Sequence, residues 1–167
     1  MFVLDADGLI KLAKSSVIKR LLQRFSCFIS DKVYEEVVVK GKRRLYEDAF
    51  IIEDLVKSRM LKVKETKENP EANLILHGKP QLGVGERSTL HLFFNLKAKA
   101  VISDDKAFLK VLSKHNIPFI TPSNIIVSFV ELGIMTRKEG LRCLNILKPY
   151  VSKETYLRAR RIIEGGG

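Results

Sequence analysis

The chain has 167 residues, which is enough for one domain with a sizeable buried core. Apolar residues make up 46% of the chain and are spread along it, which excludes a largely disordered protein. Lys and Arg outnumber Asp and Glu by 30 to 19, giving a formal net charge of +11. This excess favours a polyanionic partner such as nucleic acid, although a solvated, Lys-rich surface would produce the same count.

Other classes of protein are excluded by what the sequence lacks. No apolar run approaches the roughly 20 residues needed to span a bilayer, and the apolar start does not resemble a signal peptide. Only Cys27 and Cys143 are present, without a CxxC pair, so we expect neither a disulfide framework nor a structural zinc site. We therefore expect a protein of the reducing cytoplasm, with no membrane partner.

Short apolar runs alternate with longer amphipathic stretches along the first 133 residues. This alternation predicts an α/β fold, a three-layer α/β/α arrangement with a mainly parallel central sheet of about five strands. The predicted strands are 2–5, 27–30, 60–64, 98–103 and 118–121. The predicted helices are 8–14, 16–25, 31–39, 45–59, 83–96, 106–115 and 123–132.

Two segments depart from this alternation. Residues 65–82 contain Asn69–Pro70, Gly78 and Pro80, a composition that predicts a long loop. Beyond Gly133, two amphipathic helices are predicted at 137–147 and 153–163. We therefore expect one domain over 1–133, a basic helical extension over 134–164 packed on it, and a disordered tail at 165–167.

Basic residues are concentrated in two places that are candidates for binding phosphates. The alternative is that both are solvated helix faces. The candidate residues are Lys40, Lys42, Arg43, Arg44, Arg158, Arg160 and Arg161.

Carboxylates follow two of the predicted strands. Asp5 closes the first strand, and the pair Asp104 and Asp105 closes the fourth. Ligands of open parallel sheets bind beyond the carboxyl ends of the strands, so these acids are candidates for a site there.

Two glutamates on helices join this set. Glu36 lies at the margin of an apolar helix face, and Glu86 lies in the first turn of the helix that begins near Gly83. Several carboxylates beside a core raise one another's pKa unless a cation compensates. Mg²⁺ and Mn²⁺ prefer such oxygen ligands, and they assist attack by water on a phosphodiester.

Each acid also has a purely structural interpretation. Asp5 is alternatively a turn residue at a strand end, and Asp7 a cap for a helix beginning at Gly8. Asp104 or Asp105 alternatively caps the helix that follows, and Glu86 alternatively complements the dipole of its own helix. The carboxylates would meet at one rim only if the strand order brings their segments together.

Four blocks in this order resemble the PIN-domain family of metal-dependent ribonucleases. They are residues 2–12 (FVLDADGLIKL), 29–37 (ISDKVYEEV), 83–90 (GVGERSTL) and 100–108 (AVISDDKAF). The resemblance covers about residues 1–133. Asp7 departs from it, because the family more often has Ser, Thr or Asn at that position.

The resemblance implies which residues carry the chemistry. It makes Asp5, Glu36, Glu86 and either Asp104 or Asp105 catalytic, with all of these except Glu36 binding one or two Mg²⁺ or Mn²⁺ ions. At 104–105 the family pattern favours the second acid and the strand end favours the first. The implied activity is endoribonucleolytic hydrolysis of RNA.

The resemblance also implies partners and rivals. Many relatives are VapC-type toxins held inactive by a small antitoxin protein, many form homodimers, and others mature ribosomal RNA. The main rival is an inactive PIN-like module that binds RNA or protein. A phosphatase-like or response-regulator-like protein lacks its expected partner residues here, and a helix-turn-helix regulator in the C-terminal helices is weaker still.

Overall fold

The five strands of the fold form one parallel sheet. A computed structural model describes residues 1–165. The strands are β1 Phe2–Leu4, β2 Cys27–Ser30, β3 Leu61–Lys64, β4 Ala100–Ile102 and β5 Phe119–Ile120. All neighbours pair in parallel, in the order β3–β2–β1–β4–β5. The predicted α/β fold is thereby confirmed.

Helices connect the strands and cover the sheet. They are α1 Ala6–Lys14, α2 Ile18–Leu22, α3 Asp31–Tyr34, α4 Gly41–Arg43, α5 Glu47–Lys57, α6 Pro70–Leu76, α7 Val84–Leu96, α8 Lys106–Lys114, α9 Pro122–Glu131, α10 Arg137–Leu147 and α11 Lys153–Ile163. A π-helical segment, Glu35–Lys40, joins α3 to α4 without a break, and a 3₁₀ turn, Lys148–Tyr150, joins α10 to α11.

The two faces of the sheet are buried in separate apolar clusters. Consecutive residues of β1 point to opposite faces, so Leu4 belongs to a cluster with α1, α9 and α10, whereas Val3 belongs to one with α7 and α8. Both side chains are fully buried. Burial on both faces explains why the three central strands, β1, β2 and β4, are almost wholly apolar.

The strand order creates a crevice at the centre of the sheet. From β1 the chain moves outward to β2 and β3, and then returns to the other side of β1 for β4 and β5. Connections therefore diverge between β1 and β4, which is where open α/β sheets bind their ligands. The acids that follow these two strands lie at this point.

The predicted long loop over residues 65–82 was wrong, because it contains helix α6. Asn69 accepts hydrogen bonds from the backbone N–H groups of Glu71 and Ala72, and Pro70 occupies the first helical turn. Both residues start helices as readily as they break them. Ala72 and Leu76 are buried in the α7–α8 cluster, which holds the helix in place.

The C-terminal helices α10 and α11 begin and end where the sequence predicted. Leu144, Leu147 and Ile163 are buried in the same cluster as Leu4, so these helices share the core of the sheet. The predicted disordered tail lies outside the described residues apart from Gly165. Within residues 1–165, no helix is both long and apolar enough to cross a membrane.

Candidate active site

Asp5 lies at the centre of the site and is fully buried. It is the N-cap of α1: its Oδ1 accepts a hydrogen bond of 2.8 Å from the Gly8 N–H, while Oδ2 accepts one from the Ser103 hydroxyl. Burial raises the pKa of Asp5 to about 7, against the opposing effect of these two hydrogen bonds. Because Asp5 caps α1, the prediction that Asp7 caps this helix was wrong.

Gly8 allows helix α1 to approach β4 closely. A Cβ atom at this position would lie 2.6 Å from the carbonyl oxygen of Ile102, a backbone atom that cannot move aside. The Asp5 N–H donates a 3.2 Å hydrogen bond to the same oxygen. The absence of a side chain at Gly8 thus brings the end of β1 against the end of β4.

Asp7 and Asp104 are bridged by the ammonium group of Lys11. The Lys11 Nζ lies 2.9 Å from Oδ2 of Asp7 and 2.7 Å from Oδ2 of Asp104. Burial lowers the pKa of Lys11, but the two carboxylates outweigh it and the pKa lies above its usual value. Burial raises the pKa of Asp104, and Lys11 opposes that shift.

Asp105 is the N-cap of α8, as one of the structural interpretations predicted for this pair. Its Oδ1 accepts a 2.8 Å hydrogen bond from the Phe108 N–H, and its own N–H donates to the Ser103 hydroxyl over 3.2 Å. The Ser103 hydroxyl thus links Asp5 to Asp105. Of these two neighbouring acids, Asp105 caps the helix, whereas Asp104 forms an ion pair with Lys11.

Glu86 occupies the first turn of α7, and a hydroxyl pair ties this helix to the sheet. Ser30 at the end of β2 and Ser88 in α7 form a buried hydrogen bond of 2.6 Å. Ser88 also donates to the Gly85 carbonyl over 2.8 Å. Among the described residues, no hydrogen bond or ion pair involves the carboxylate of Glu86.

Glu36 projects from the π-helical segment towards α7. A Cβ at Gly85 would lie 2.9 Å from its Oε2, so the glycine leaves room for this carboxylate. Burial raises the pKa of Glu36, and the charge of Glu86 raises it further. Glu86 likewise raises the pKa of Asp5. The electrostatic coupling therefore connects Glu36, Glu86 and Asp5 at one rim.

The donor set suits a hard divalent cation. It offers only carboxylate oxygens, and the coupled acids Asp5, Glu36 and Glu86 have no cationic side chain hydrogen-bonded to them within residues 1–165. Yet in the described part of the chain no three side chains of Asp, Glu, His or Cys converge closely enough to form a metal site. The structure explains this: Asp5 is hydrogen-bonded through both oxygens, and Asp104 is paired with Lys11. The residues fit a divalent ion by chemistry and charge, and need side-chain movement to coordinate it.

Open clefts flank the acidic rim. The larger, of about 580 Å³, lies between the rim and the C-terminal helices, and Asp7, Lys11, Asp104, Lys106 and Arg158 are among the residues that line it. A second, of about 330 Å³, lies on the other side of α1 and includes Glu36, Lys40 and Arg44.

Some of the predicted basic residues line these clefts, and others form ion pairs or are exposed elsewhere. Arg158 lines the larger cleft, and Lys40 and Arg44 line the smaller one. By contrast, Lys42 is paired with Glu53 at 2.9 Å and Arg160 with Glu164 at 2.8 Å. Arg43 and Arg161 are exposed and line neither cleft.

Sequence reasoning missed Lys11 and gave Ser103 no role. An Asp followed by a Lys four residues later on a helix is a recognisable pair, so the contact from Asp7 to Lys11 had a local signal. The contact from Lys11 to Asp104 spans 93 residues and had none.

A family model described as "DUF3368: PIN domain" matches residues 1–164, which includes the C-terminal helices as well as the sheet. No curated protein matches the chain.

Proposed function

The chain belongs to the PIN-domain family, and from that premise we propose that it is a Mg²⁺- or Mn²⁺-dependent endoribonuclease. PIN domains are generally metal-dependent nucleases. The observation that carries the proposal is the coupling of Asp5, Glu36 and Glu86 at the rim where β1 and β4 end, beside clefts lined by cationic side chains.

In this proposal Asp5, Glu86 and Asp104 hold the ion directly or through water, and Asp105 contributes mainly by capping α8. The ion, when bound, stabilises negative charge on the phosphodiester and makes a water more acidic. Glu36, which projects from the π-helical segment, orients the attacking water. Before the ion binds, hydrogen bonds to both oxygens of Asp5 hold that carboxylate at the rim.

The clefts supply a path for the RNA strand across the rim. Lys106 and Arg158 contact phosphates on one side of the scissile bond, and Lys40 and Arg44 contact phosphates on the other. Neutralising phosphates releases counterions, so these contacts would account for much of the affinity. Charge supports RNA binding in general and leaves the sequence preference open.

The activity is tested by cleavage of defined single-stranded RNAs with Mg²⁺, with Mn²⁺ or with EDTA. We expect cleavage by the wild type with either ion, none in EDTA, and none by Asp5→Asn in any condition. Asp54→Asn removes the same charge from the exposed face of α5 and serves as the matched control. Full activity of Asp5→Asn at saturating Mn²⁺ would contradict the assignment.

The RNA path is tested by two arginines of α11 that differ in their contacts. We expect Arg158→Ala to weaken RNA binding in EDTA and to reduce the slope of affinity against salt by about one. Arg160→Ala removes the same charge two residues away, where the side chain is paired with Glu164, and should change binding little. Equal losses in both variants would show that net charge, and not the cleft, determines binding.

Two cellular roles are compatible with this activity: the toxin of a toxin–antitoxin pair, or an enzyme that processes ribosomal RNA. A toxin would be inhibited by a small antitoxin protein encoded beside its gene. Expression of the chain with and without the product of a small neighbouring reading frame separates the two roles, because only a toxin would stop growth when expressed alone. The catalytically inactive alternative predicts RNA binding without cleavage in every condition.

A further inference from the structure

Lys11 brings a fixed positive charge into the acidic site. Its ammonium group donates to Oδ2 of Asp7 at 2.9 Å and to Oδ2 of Asp104 at 2.7 Å, and only 8% of the residue is exposed. The side chain of Asp104 is 14% exposed, so this oxygen has little access to solvent. Lys11 is therefore the principal counter-charge of Asp104 in the metal-free protein.

A divalent ion and an ammonium group cannot share one carboxylate oxygen favourably. Both seek the same lone pairs, and two cations a few ångströms apart repel each other strongly in a partly buried site. Coordination by Oδ2 of Asp104 would therefore require Lys11 to release that oxygen, and coordination by Oδ1 would bring the ion close enough for the ammonium group to repel it. Since the proposed enzyme uses Asp104 as a ligand, the position of Lys11 bears directly on metal binding.

We propose that Lys11 competes with the divalent ion for Asp104, and that Asp7 holds the displaced ammonium group when the ion binds. This inference rests on the metal-dependent function proposed above. It assigns a role to Asp7: this carboxylate keeps Lys11 in the site after Asp104 has been released.

The surroundings of Lys11 permit such a movement. Lys11, Asp7 and Asp104 all line the open 580 Å³ cleft, so the ammonium group can turn towards solvent. The side chain of Asp7 is 41% exposed, and as the residue one helical turn earlier it stays within reach of Lys11. The flexible four-carbon stem of lysine allows one contact to break while the other is kept.

The test is a calorimetric titration of the full chain with Mn²⁺ in the absence of RNA. Lys11→Met removes the ammonium group and keeps the length of the stem. We expect it to bind Mn²⁺ about tenfold more tightly than the wild type. This is the change in affinity expected when the ion no longer has to displace one charged hydrogen bond. Lys14→Met is the matched control, because Lys14 lies one turn further along α1 and pairs with Asp48 at 2.9 Å, outside the acidic site. Its affinity for Mn²⁺ should equal that of the wild type.

A second pair of variants shows whether the effect acts through Asp104. In an Asp104→Asn background, Lys11→Met should no longer tighten Mn²⁺ binding, because the contested carboxylate is gone. Lys11→Gln keeps a hydrogen-bond donor without a charge, so it replaces Lys11→Met if that variant fails to fold. Melting temperatures of all variants identify any loss of folding.

The outcomes separate this inference from the proposed function. Wild-type binding with no gain in the neutral Lys11 variants, or an equal gain in Lys14→Met, overturns the role of Lys11 and leaves the nuclease intact. Tighter binding in Lys11→Met without RNA cleavage by any variant supports the competition and contradicts the nuclease. Absence of Mn²⁺ binding in the wild type and in every Lys11 variant overturns both.

Discussion

The acids of the site are held in two different ways. Asp5 and Asp104 follow strands and are fixed before any ion binds: Asp5 by the Gly8 N–H and the Ser103 hydroxyl, and Asp104 by Lys11. Glu36 and Glu86 project from helical segments, and within residues 1–165 neither carboxylate takes part in a hydrogen bond or an ion pair. Strand-end acids thus make contacts that hold the fold together, whereas the helix acids make none within the part of the chain that the structure describes.

This difference means that the same kind of substitution should affect different properties in the two groups. Replacing a helix acid should alter metal binding without lowering stability, since no contact within the protein is lost and a charge that the neighbouring acid repels is removed. Replacing a strand-end acid should alter both. The following measurements sharpen or break this comparison.

Glu86→Gln should give the largest selective effect. We expect RNA cleavage to fall about a hundredfold or more, because a ligand of the ion is lost, while the free energy of unfolding in EDTA changes by less than about 0.5 kcal/mol. Cleavage rates and urea unfolding measure the two quantities. A loss of stability comparable with that of a buried substitution would show that Glu86 has a structural partner.

Glu36→Gln should lower the cleavage rate by about tenfold, because Glu36 is proposed to position the attacking water and not to bind the ion itself. Its affinity for Mn²⁺ should fall less than that of Glu86→Gln. Comparison of the two variants by calorimetry and by cleavage rate at saturating Mn²⁺ separates positioning of water from binding of the ion. Equal losses of affinity would place Glu36 among the ligands.

Asp104→Ala and Asp105→Ala separate the two neighbouring acids. Asp105→Ala should destabilise the protein by about 1 kcal/mol through loss of the α8 cap. Asp104→Ala should reduce Mn²⁺ affinity and cleavage more than Asp105→Ala does. Urea unfolding and Mn²⁺ titration measure the two effects, and the reverse order of metal affinities would make Asp105 the ligand.

The stability of the metal-free protein should depend on pH through Asp5. Its pKa is raised from 3.8 to about 7, so between these values the folded state keeps a proton that the unfolded state has released. Stability attributable to Asp5 is therefore present at low pH and is lost as the pH rises towards 7.

Thermal unfolding in EDTA measures this contribution. The melting temperature of Asp5→Asn relative to the wild type should rise by a few degrees between about pH 5 and pH 8, because the variant has no carboxylate to ionise. The control is Asp54→Asn, whose difference from the wild type should stay constant across the same range. A constant difference for Asp5→Asn would mean that Asp5 does not ionise in this window.

The parts of the site that sequence predicted share one property. Two of the short apolar runs form β1 and β4. A polar residue that directly follows such a run lies at the carboxyl edge of the sheet, and this placement does not depend on distant parts of the chain. Asp5 and the 104–105 pair could therefore be found from local pattern. The helix positions of Glu36 and Glu86 followed from the spacing of their apolar neighbours and from the family blocks.

The features that the sequence did not predict depend on contacts between residues far apart in the chain, or on a choice between two residues that could both cap the same helix. Asp5 and Asp7 are both suited to cap α1, and the close approach permitted at Gly8 favours Asp5. Helix α6 was missed because Asn69 and Pro70 both start and break helices, and only its packing against α7 decides.

The π-helical segment Glu35–Lys40 has a consequence for how this chain can change in length. It places an additional residue in the helical path between Asp31 and Arg43, and each residue of a helix turns the following ones by about 100°. A deletion within the segment would remove that residue and restore regular α-helix, so the side chains that follow the segment, including Arg44, would keep their direction relative to α3. The segment is therefore a place where the chain can lose one residue and still present the same basic residues to the acidic rim, whereas the same loss from a regular α-helix would turn them by about 100°.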